Sequence, residues 1–388
     1  MLELYFWIGL GIIFYTYLGY GILLYIIVLL KRSFSSAKPQ QYSFEELPGM
    51  TLIVACYNEA DILDEKVKNT LDLQYPMEKL NLYFVTDGSN DNSVEVLKKY
   101  DRVVTFHDDK RAGKVAAVNR VMPHVKTPIV AYCDANTFLN PEALVHLARH
   151  YKDPKVGAVA GEKKIYQGDK EHAAGSGEGA YWKYESALKK LDSELHTVVG
   201  AAGELFSVRT ELYEDVPVNI IIEDFFLSMR IVERDFRVVY EPDAYAMETS
   251  SASVKEEQKR KVRIAAGGIQ SIVKLYGLLN VFKYGVVTFQ YVSHRVLRWT
   301  LTPLLLPVVF VLNYLLLNLH PVYLVLFIGQ VLFYSISLLG YLLQGKKIKF
   351  KMLFIPYYFT FMNWSVYRGF LRYIGGKQSA VWEKAKRA

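Results

Sequence analysis

The first apolar segment of the chain is long enough to enter a lipid bilayer. Residues 4–30 carry no charged side chain, and Lys31 and Arg32 follow directly. A helix of roughly 20 apolar residues crosses a bilayer, and the segment lacks the short apolar region and small-residue cleavage site of a removable signal peptide. We therefore expect residues 1–32 to form a retained transmembrane helix.

Two further apolar runs lie in the last quarter of the chain. They cover residues 299–317 and 322–343 with a short break between them, which predicts a pair of antiparallel transmembrane helices within residues 298–344. A lysine cluster at 346–351 follows the second run, as Lys31 and Arg32 follow the first. Basic residues favour the cytoplasmic side, so the expected orientation has the N-terminus outside and the middle of the chain in the cytosol.

The final apolar stretch, residues 352–374, is interrupted by polar and basic side chains. It contains Asn363, Arg368 and Arg372, and a basic tail follows it. A full crossing would place that tail outside, against the charge rule. We therefore expect residues 345–388 to form a basic loop, an interfacial or re-entrant segment and a cytosolic tail, with three crossings in total.

The net charge of +7 is concentrated beside these apolar ends. Anionic lipid headgroups are the simplest partner for such clusters, so we expect membrane lipids as partners and no nucleic acid. The only two cysteines, Cys56 and Cys133, form no disulfide framework and have no metal-ligand spacing.

The middle of the chain alternates between predicted strands and helices. Residues 33–48 are rich in Ser, Gln and Pro and predict a linker, whereas residues 265–297 predict interfacial helices. The predicted strands are 50–55, 80–86, 102–107 and 128–133, and the predicted helices are 60–71, 93–100 and 114–122. This alternation favours an α/β domain at 49–264 with a parallel sheet covered on both faces.

Polar clusters follow three of these strands directly. They are Tyr57-Asn58-Glu59, Asp87-Gly88-Ser89 and Asp134-Ala135-Asn136. Ligands of parallel sheets bind beyond the carboxyl ends of the strands, although the same residue types are also common in ordinary turns. Three clusters at one edge favour a binding site.

Two more charged segments come later in the chain. Glu223 and Asp224 follow an apolar run that predicts a strand, and residues 258–263 form a basic run. Carboxylates can hold a divalent cation or accept a proton from an alcohol, while clustered Lys and Arg can neutralise a diphosphate. The pattern indicates group transfer from a nucleotide-activated donor at a membrane.

The order of these motifs resembles family 2 glycosyltransferases with a GT-A fold, a Rossmann-like nucleotide-diphosphosugar transferase fold. It is similar to the membrane-embedded group that includes hyaluronan and cellulose synthases and smaller exopolysaccharide enzymes. The resemblance covers residues 51–270. Its motifs are ACYNEA (55–60), VTDGSNDNS (85–93), KRAGKVAAVN (110–119), YCDANT (132–137), GAAGELFSVR (200–209) and IIEDFFLSMRI (221–231).

The resemblance implies a nucleotide site in the first half of the domain. Asp87 matches the aspartate that binds uracil, Tyr57 and Glu59 line the same pocket, and Lys114 provides a cation near the nucleotide. The implied donor is a UDP-sugar. The implied localisation is the bacterial inner (plasma) membrane, with a cytoplasmic catalytic domain.

A divalent cation, Mg²⁺ or Mn²⁺, is implied at the position of the family's DxD signature. Asp134, also part of the implied nucleotide site, matches the first carboxylate, but Asn136 replaces the second. An amide oxygen can coordinate a cation while contributing less charge.

The catalytic base that the resemblance implies is Asp224. An acceptor hydroxyl must lose its proton as it attacks the anomeric carbon, and direct displacement inverts the configuration. The alternative interpretation of Asp224 is an N-cap for a helix at 225–233. Gly203 and Glu223 are the implied acceptor-side residues.

The implied diphosphate-binding residues are Gln258, Arg260 and Arg263. Processive relatives carry Gln-x-x-Arg-Trp at this place, and neither possible register here, 258–262 or 260–264, contains the Trp. Arg260 and Arg263 share one helical face, and the alternative is a basic helix end that contacts lipid headgroups.

The resulting hypothesis is an inverting glycosyltransferase that uses a lipid-linked or polysaccharide acceptor. Two alternatives remain open, a processive synthase with coupled export and a catalytically inactive membrane-anchored scaffold. Three transmembrane helices are too few to line a channel by themselves unless the protein forms an oligomer or recruits an export partner.

Overall fold

The computed structural model describes residues 1–34, 43–166, 173–249, 254–343 and 354–376. Half of the predicted linker (35–42), the predicted lysine cluster at 346–351 and the predicted basic tail lie outside the described residues. The described part contains one mixed sheet, the helices that cover it, and an apolar helical bundle formed by both ends of the chain.

One sheet of eight strands forms the centre of the domain. Its order is β3-β2-β1-β4-β7-β6-β8-β5. The strands are β1 (Met50–Cys56), β2 (Leu80–Asp87), β3 (Val103–Asp108), β4 (Ile129–Asp134), β5 (Thr137–Leu139), β6 (Val156–Tyr166), β7 (Leu205–Arg209) and β8 (Arg237–Thr249).

The helices fall into a set around the sheet and a set at the chain ends. In chain order they are α1 (Leu2–Phe14), α2 (Tyr20–Phe34), α3 (Ala60–Leu71), α4 (Ser93–Leu97), α5 (Lys114–Val121), α6 (Ala143–Ala148), α7 (Ala173–Leu195), α8 (Glu223–Glu233), α9 (Val254–Lys274), α10 (Val281–Tyr284), α11 (Val286–Tyr291), α12 (Leu297–Trp299), α13 (Leu301–Leu315), α14 (Pro321–Leu343) and α15 (Phe354–Ile374).

The predicted parallel sheet is confirmed for half of its strands. β1 pairs in parallel with β2 and β4, and β2 pairs in parallel with β3. The other half is mixed, because β7 runs antiparallel to both β4 and β6, and β5 runs antiparallel to β8. The carboxyl ends of β1, β2 and β4 therefore share one edge, as expected.

The core lies on both faces of the sheet, and β1 shows why. Its continuous apolar run is typical of a strand buried on both sides. Ile53 packs into the cluster under α5 and α8, whereas Leu52 and Val54 belong to the cluster under α3 and α6.

One local prediction is wrong, because residues 220–222 form a bend without regular secondary structure rather than a strand. Helix α9 continues past residue 264, where the predicted catalytic domain ends. Its Gly267 and Gly268 allow other parts of the chain to pack closely against it. A Cβ atom at Gly267 would lie 3.0 Å from Ile221, and one at Gly268 would lie 2.5 Å from Trp299.

Two described helical segments are long and apolar enough to cross a membrane. One is Leu2–Phe34, which joins α1, a π-helical turn and α2, and the other is α14. A third candidate span exists only if the helical segment Val286–Trp299 and α13, which meet at an angle of 57°, together form one membrane-spanning segment. The bend is explained by Pro303, which has no N–H to donate to the carbonyl of Trp299. The helix expected over 299–317 is therefore shorter, and the three crossings stay a prediction.

The N-terminal helix contacts two different parts of the protein. Its first half packs on α13, where Phe6 and Val309 share an apolar cluster and Thr16 bonds to Thr302 over 3.0 Å. Its second half packs on α7, where Leu24 and Leu188 share another cluster. The helix thus joins the apolar bundle to the sheet domain.

Helix α15 lies between the bundle and the domain. Its Phe359 packs against Phe333 of α14, with ring centres 5.5 Å apart. On its other side, a Cβ atom at Gly369 would lie 2.7 Å from Ala265 of α9. This close approach fixes α9, which carries the predicted diphosphate-binding residues, against the bundle.

Replacing Gly200 with alanine should destabilise the protein. Gly200 has φ +89°, and a Cβ atom there would lie 2.1 Å from the ring of Phe225. We expect Gly200→Ala to lower the free energy of unfolding by about 1–3 kcal/mol, seen as a lower melting temperature in detergent. The control is Gly11→Ala, since a Cβ atom there meets no heavy atom of the described chain within 4 Å. Equal melting temperatures for both variants would contradict this packing.

Candidate active site

The loops that follow β1 and β2 hold each other through side-chain hydrogen bonds. Asn58, at φ +53°, exchanges two bonds with Asn90, and its own N–H donates to Ser89 Oγ over 3.1 Å. The N–H of Ala60 donates to Asp91 Oδ2. Much of the polar sequence after these strands therefore shapes the edge of the sheet.

Asp87 fixes the loop that precedes α5. Its carboxylate, only 5% exposed, accepts hydrogen bonds from the N–H groups of Ala112 and Gly113, the latter over 2.6 Å. Gly113 directly precedes Lys114, the first residue of α5. Asp87, a predicted nucleotide-binding residue, therefore also sets the position of Lys114.

The other predicted nucleotide residues lie on the same edge. The guanidinium of Arg111 lies 3.6 Å above the centre of the Tyr57 ring. Glu59 is buried at the start of α3, and its N–H donates to Ser93 Oγ over 3.1 Å. The edge thus presents an aromatic ring covered by a cation beside a buried carboxyl.

The ammonium of Lys114 bridges two carboxylates from distant parts of the chain. It lies 2.6 Å from Asp134 Oδ1 at the end of β4 and 2.9 Å from Glu223 Oε1 at the start of α8. Burial lowers the pKa of Lys114, but the two carboxylates outweigh it and hold that pKa well above its usual range. Lys114 is therefore a permanent cation at the centre of the site.

Asp224 lies beside this ion pair. A Cβ atom at Gly203 would lie 3.1 Å from Asp224 Oδ2 and 3.6 Å from Lys114 Nζ, so glycine leaves open space next to the carboxylate. Burial, and then the neighbouring charge of Glu223, raise the pKa of Asp224 to about 7. A carboxyl group with such a pKa can accept a proton near neutral pH.

The N-cap interpretation of Asp224 is wrong. Helix α8 begins at Glu223 with Ile222 as its N-cap, so Asp224 is in the first turn. The loop that faces it is held to the same helix, because the N–H of Ala201 donates to Ser228 Oγ over 3.0 Å. Asp224 and Gly203 are therefore fixed relative to each other.

The three predicted diphosphate-binding residues occupy different surroundings. Arg263 donates over 3.0 Å to the carbonyl of Ile221, which lies two residues before Glu223. Arg260 lies 3.6 Å from Glu204, the residue after Gly203. Gln258 instead accepts from Arg368 of α15 over 3.4 Å. Arg263 and Arg260 therefore contact chain segments that also carry site residues, namely Glu223 and Gly203.

The turn that carries both predicted metal ligands rests on a buried lysine. Lys66 of α3 is fully buried and donates to the carbonyl of Thr137 over 2.5 Å, while Thr137 Oγ1 donates to the carbonyl of Asp134 over 2.9 Å. These bonds hold the turn from Asp134 through Asn136. Sequence reasoning missed Lys66, although a lysine among the buried positions of α3 was a usable signal.

The donor set at this turn fits a hard divalent cation. Asp134 and Asn136 offer oxygen atoms, which Mg²⁺ and Mn²⁺ prefer. Within the described ranges, no three His, Cys, Asp or Glu side chains are grouped to hold a metal ion by themselves. Donor phosphate or water oxygens would have to complete the coordination.

A second buried charge network adjoins the site and was also missed. Lys163 of β6 lies 2.5 Å from Glu204 and also binds Glu248 of β8. Arg260 approaches the same two carboxylates at 3.6 and 3.9 Å. The network links α9 to the half of the sheet farthest from Asp87.

Comparison with known proteins identifies the family. Residues 48–267 match the family described as glycosyltransferase like family 2, which is more than half of the chain. The chain therefore belongs to the glycosyltransferase like family 2.

Two relatives carry the same printed name, poly-β-1,6-N-acetyl-D-glucosamine synthase. The protein from Staphylococcus aureus strain MSSA476 is 27% identical over 252 residues, 62% of this chain and 60% of the relative. The one from Staphylococcus epidermidis is 23% identical over 262 residues, 65% of this chain and 62% of the relative. The chain thus spans about three fifths of the length of these relatives.

A solved structure shares the fold along the chain. It is the mannosyltransferase PcManGT from Pyrobaculum calidifontis, in complex with GDP-Man and Mn²⁺. The TM-score is 0.72 at 18% identity, and the match covers 97% of this chain and 100% of the other. The predicted GT-A fold is confirmed.

Replacing Lys66 with methionine should weaken cation-dependent donor binding. The variant removes the donor to the Thr137 carbonyl, so the turn with Asp134 and Asn136 loses its support. We expect the apparent Kd for a nucleotide sugar in Mn²⁺ to rise by about tenfold or more, measured by calorimetry, with little change for the nucleotide alone in chelator. Lys68→Met, at an exposed position of the same helix, is the control. A Kd in Mn²⁺ equal to that of the control would argue against this role of Lys66.

Proposed function

We propose that this glycosyltransferase transfers a sugar, with inversion, from a nucleoside-diphosphate donor to a hydroxyl of a lipid-linked or polysaccharide acceptor at a membrane. The observation that supports this most strongly is the position of Asp224. It is a half-buried carboxyl beside the opening at Gly203, next to a lysine that neutralises two other carboxylates. A base and a cationic region thus lie side by side.

Asp224 is the proposed general base. The attacking hydroxyl must give up its proton in the transition state, and a base is most effective when its pKa lies near the working pH. Its pKa of about 7 meets this condition. Because one displacement at the anomeric carbon needs one base and no covalent intermediate, the product has the inverted configuration.

The proposed donor, a UDP-sugar, binds across the ends of β1, β2 and β4. Tyr57, Glu59 and Asp87 lie where the nucleoside is expected. Lys114 and Asp134 lie nearer to Asp224, where the diphosphate and the sugar are expected. This order along the sheet edge supports a donor pose in which the anomeric carbon lies close to the base.

A divalent cation is the proposed cofactor, held by Asp134 and Asn136. When bound, it supplies positive charge that offsets the charge developing on the leaving diphosphate. Arg263 and Arg260, with Gln258 farther along α9, are the proposed protein groups for the same anion. Burial raises the pKa of Asp134 above its usual value, and the ammonium of Lys114 opposes that rise.

The proposed membrane arrangement follows from helix lengths and packing. The helix Leu2–Phe34 has 33 residues and is about 50 Å long, compared with about 30 Å for the hydrocarbon core. Its first half packs on α13, and its second half packs on α7 of the sheet domain. The second half therefore extends out of the bilayer and holds the active site close to the membrane on the cytosolic side.

A processive synthase is the second candidate, because both relatives described above are named as synthases of a polymer. Product length separates the candidates. Mass analysis after transfer with purified protein shows a series of polymer lengths for a synthase and single additions for the first candidate.

Replacing Asp224 with asparagine should abolish transfer while leaving nucleotide binding intact. The amide keeps the shape of the side chain but cannot accept the proton, and general-base catalysis contributes about 10²–10⁴-fold. The measurement is release of the nucleoside diphosphate over a panel of nucleotide sugars with Mg²⁺ or Mn²⁺. Asp109→Asn, whose side chain is 96% exposed, is the control. Normal turnover by Asp224→Asn would remove the assignment of the base.

The pH dependence of transfer should report the ionisation of Asp224. Below a pH of about 7 the carboxyl is protonated and inactive as a base, so kcat/KM for the acceptor should rise with pH and level off above that value. The slope below it is expected to be about tenfold per unit of pH. Nucleotide affinity measured over the same range is the control. A flat kcat/KM profile across this region would contradict the role of Asp224.

A further inference from the structure

Three buried lysines surround one tryptophan on the side of the site away from Asp87. Their ammonium groups lie 5.4 Å (Lys163), 5.8 Å (Lys189) and 5.2 Å (Lys261) from the centre of the Trp182 ring. The exposed fractions of these lysines are 3%, 3% and 5%. We call these four residues the Trp182 cluster.

Two of the three lysines are neutralised by carboxylates. Lys163 binds Glu204 and Glu248, and Lys261 lies 3.3 Å from Glu257. These pairs also join β6, β8 and α9, so a structural role accounts for both lysines. The third lysine requires a separate explanation.

Lys189 forms no ion pair of this kind within the described part of the chain. Across residues 1–34, 43–166, 173–249, 254–343 and 354–376, no oxygen accepts a hydrogen bond or ion pair from its ammonium, which faces the rings of Trp182 and Tyr240, each centred 5.8 Å away. The carboxyl of Glu162 interacts electrostatically with Lys189, but its hydrogen bonds come from Ser186, over 2.6 Å, and from the Tyr240 hydroxyl. A buried cation without a hydrogen-bonded anion is costly, and attraction to aromatic rings offsets only part of that cost. Lys189 is therefore suited to an anion that comes from outside the chain.

The cluster adjoins the proposed base. Lys163 binds Glu204, and the preceding Gly203 is the residue that leaves space beside Asp224. In the sheet, β6 and β8 lie on the opposite side of β4 from β1 and β2, whose ends carry the proposed nucleoside site. A ligand at the cluster would therefore approach Asp224 from the acceptor side.

An apolar surface continues from the cluster towards the helical bundle. Tyr181 lies next to Trp182 and packs against Tyr358 of α15, with ring centres 5.7 Å apart. Phe361 and Val254 belong to the same apolar group. Because α15 packs on α14, a candidate membrane span, a molecule with an anionic head and an apolar chain matches this path.

We propose that the Trp182 cluster binds the phosphate group of an amphiphilic acceptor, with Lys189 as the principal cation. The acceptor hydroxyl then lies at Asp224 and the apolar chain extends along α15. The assignment to the acceptor rests on the proposed function, whereas binding of a phosphate amphiphile at Lys189 can be measured without any transfer.

The test uses the full chain in detergent and three soluble probes, namely hexyl phosphate, inorganic phosphate and hexanol. Calorimetry should show hexyl phosphate binding, with Lys189→Met weakening it by about tenfold or more. Lys189→Arg, which keeps the charge, should retain part of the affinity. Lys190→Met, at an exposed neighbouring position, should bind as the natural protein does. Nucleotide affinity, measured on every variant, shows whether the variant is folded.

Each outcome bears on the proposal. Equal hexyl phosphate affinity for Lys189→Met and the natural protein, or no binding to the natural protein, overturns it. If inorganic phosphate binds as tightly as hexyl phosphate, the apolar chain contributes nothing, and the proposal that the ligand is an amphiphile is wrong. Hexyl phosphate binding that depends on Lys189 supports the phosphate site even if no nucleotide sugar supports transfer. In that case only the proposed function is wrong. With an active donor, Lys189→Met should raise KM for a phosphate-bearing acceptor and leave KM for the donor unchanged.

Discussion

The arrangement of the site depends on one cation, the ammonium of Lys114. Asp134, Glu223 and Asp224 come from two distant parts of the chain and are half-buried. Without a cation between them these carboxylates would repel one another, which favours protonation. Lys114 bonds to two of them, and its own position is set by Asp87 through the loop before α5. One interaction thus joins the end of β4, the start of α5 and the start of α8.

The same cation distinguishes the three carboxylates chemically. Burial would raise the pKa of Glu223, but Lys114 holds that pKa below its usual value, so Glu223 stays ionised. Asp224 lies beside that negative charge, which together with its own burial raises its pKa. Two neighbouring acidic residues therefore receive different roles from their surroundings, one as an electrostatic partner and the other as a base.

Local patterns in the sequence predicted the parallel half of the sheet and the edge where Asp87 and Asp134 lie. Continuous apolar strands followed by polar turns carry that information within a few residues. The assignment of Asp224 came from the family resemblance, and the structure brings it next to Lys114. The tested parts of these predictions, the family and the GT-A fold, are confirmed, and the roles of the individual residues stay proposals.

The rest depends on contacts between residues far apart in the chain. The antiparallel pairing of β7 is set by its partners, which a single-strand pattern does not name. Ile221 and Trp299 pack against Gly267 and Gly268, and the sequence around these glycines does not name either contact. Lys66 and Lys189 are isolated lysines in helix patterns, and only the fold shows that both are buried.

The anomeric configuration of the product tests the account most directly. With whichever nucleotide sugar supports transfer, nuclear magnetic resonance of the early product shows whether the new bond has the opposite configuration to the donor. Inversion is the predicted result, because Asp224 serves one direct displacement beside the cationic centre at Lys114. Retention would contradict the account, since it requires a nucleophile or a reaction path that this site does not provide.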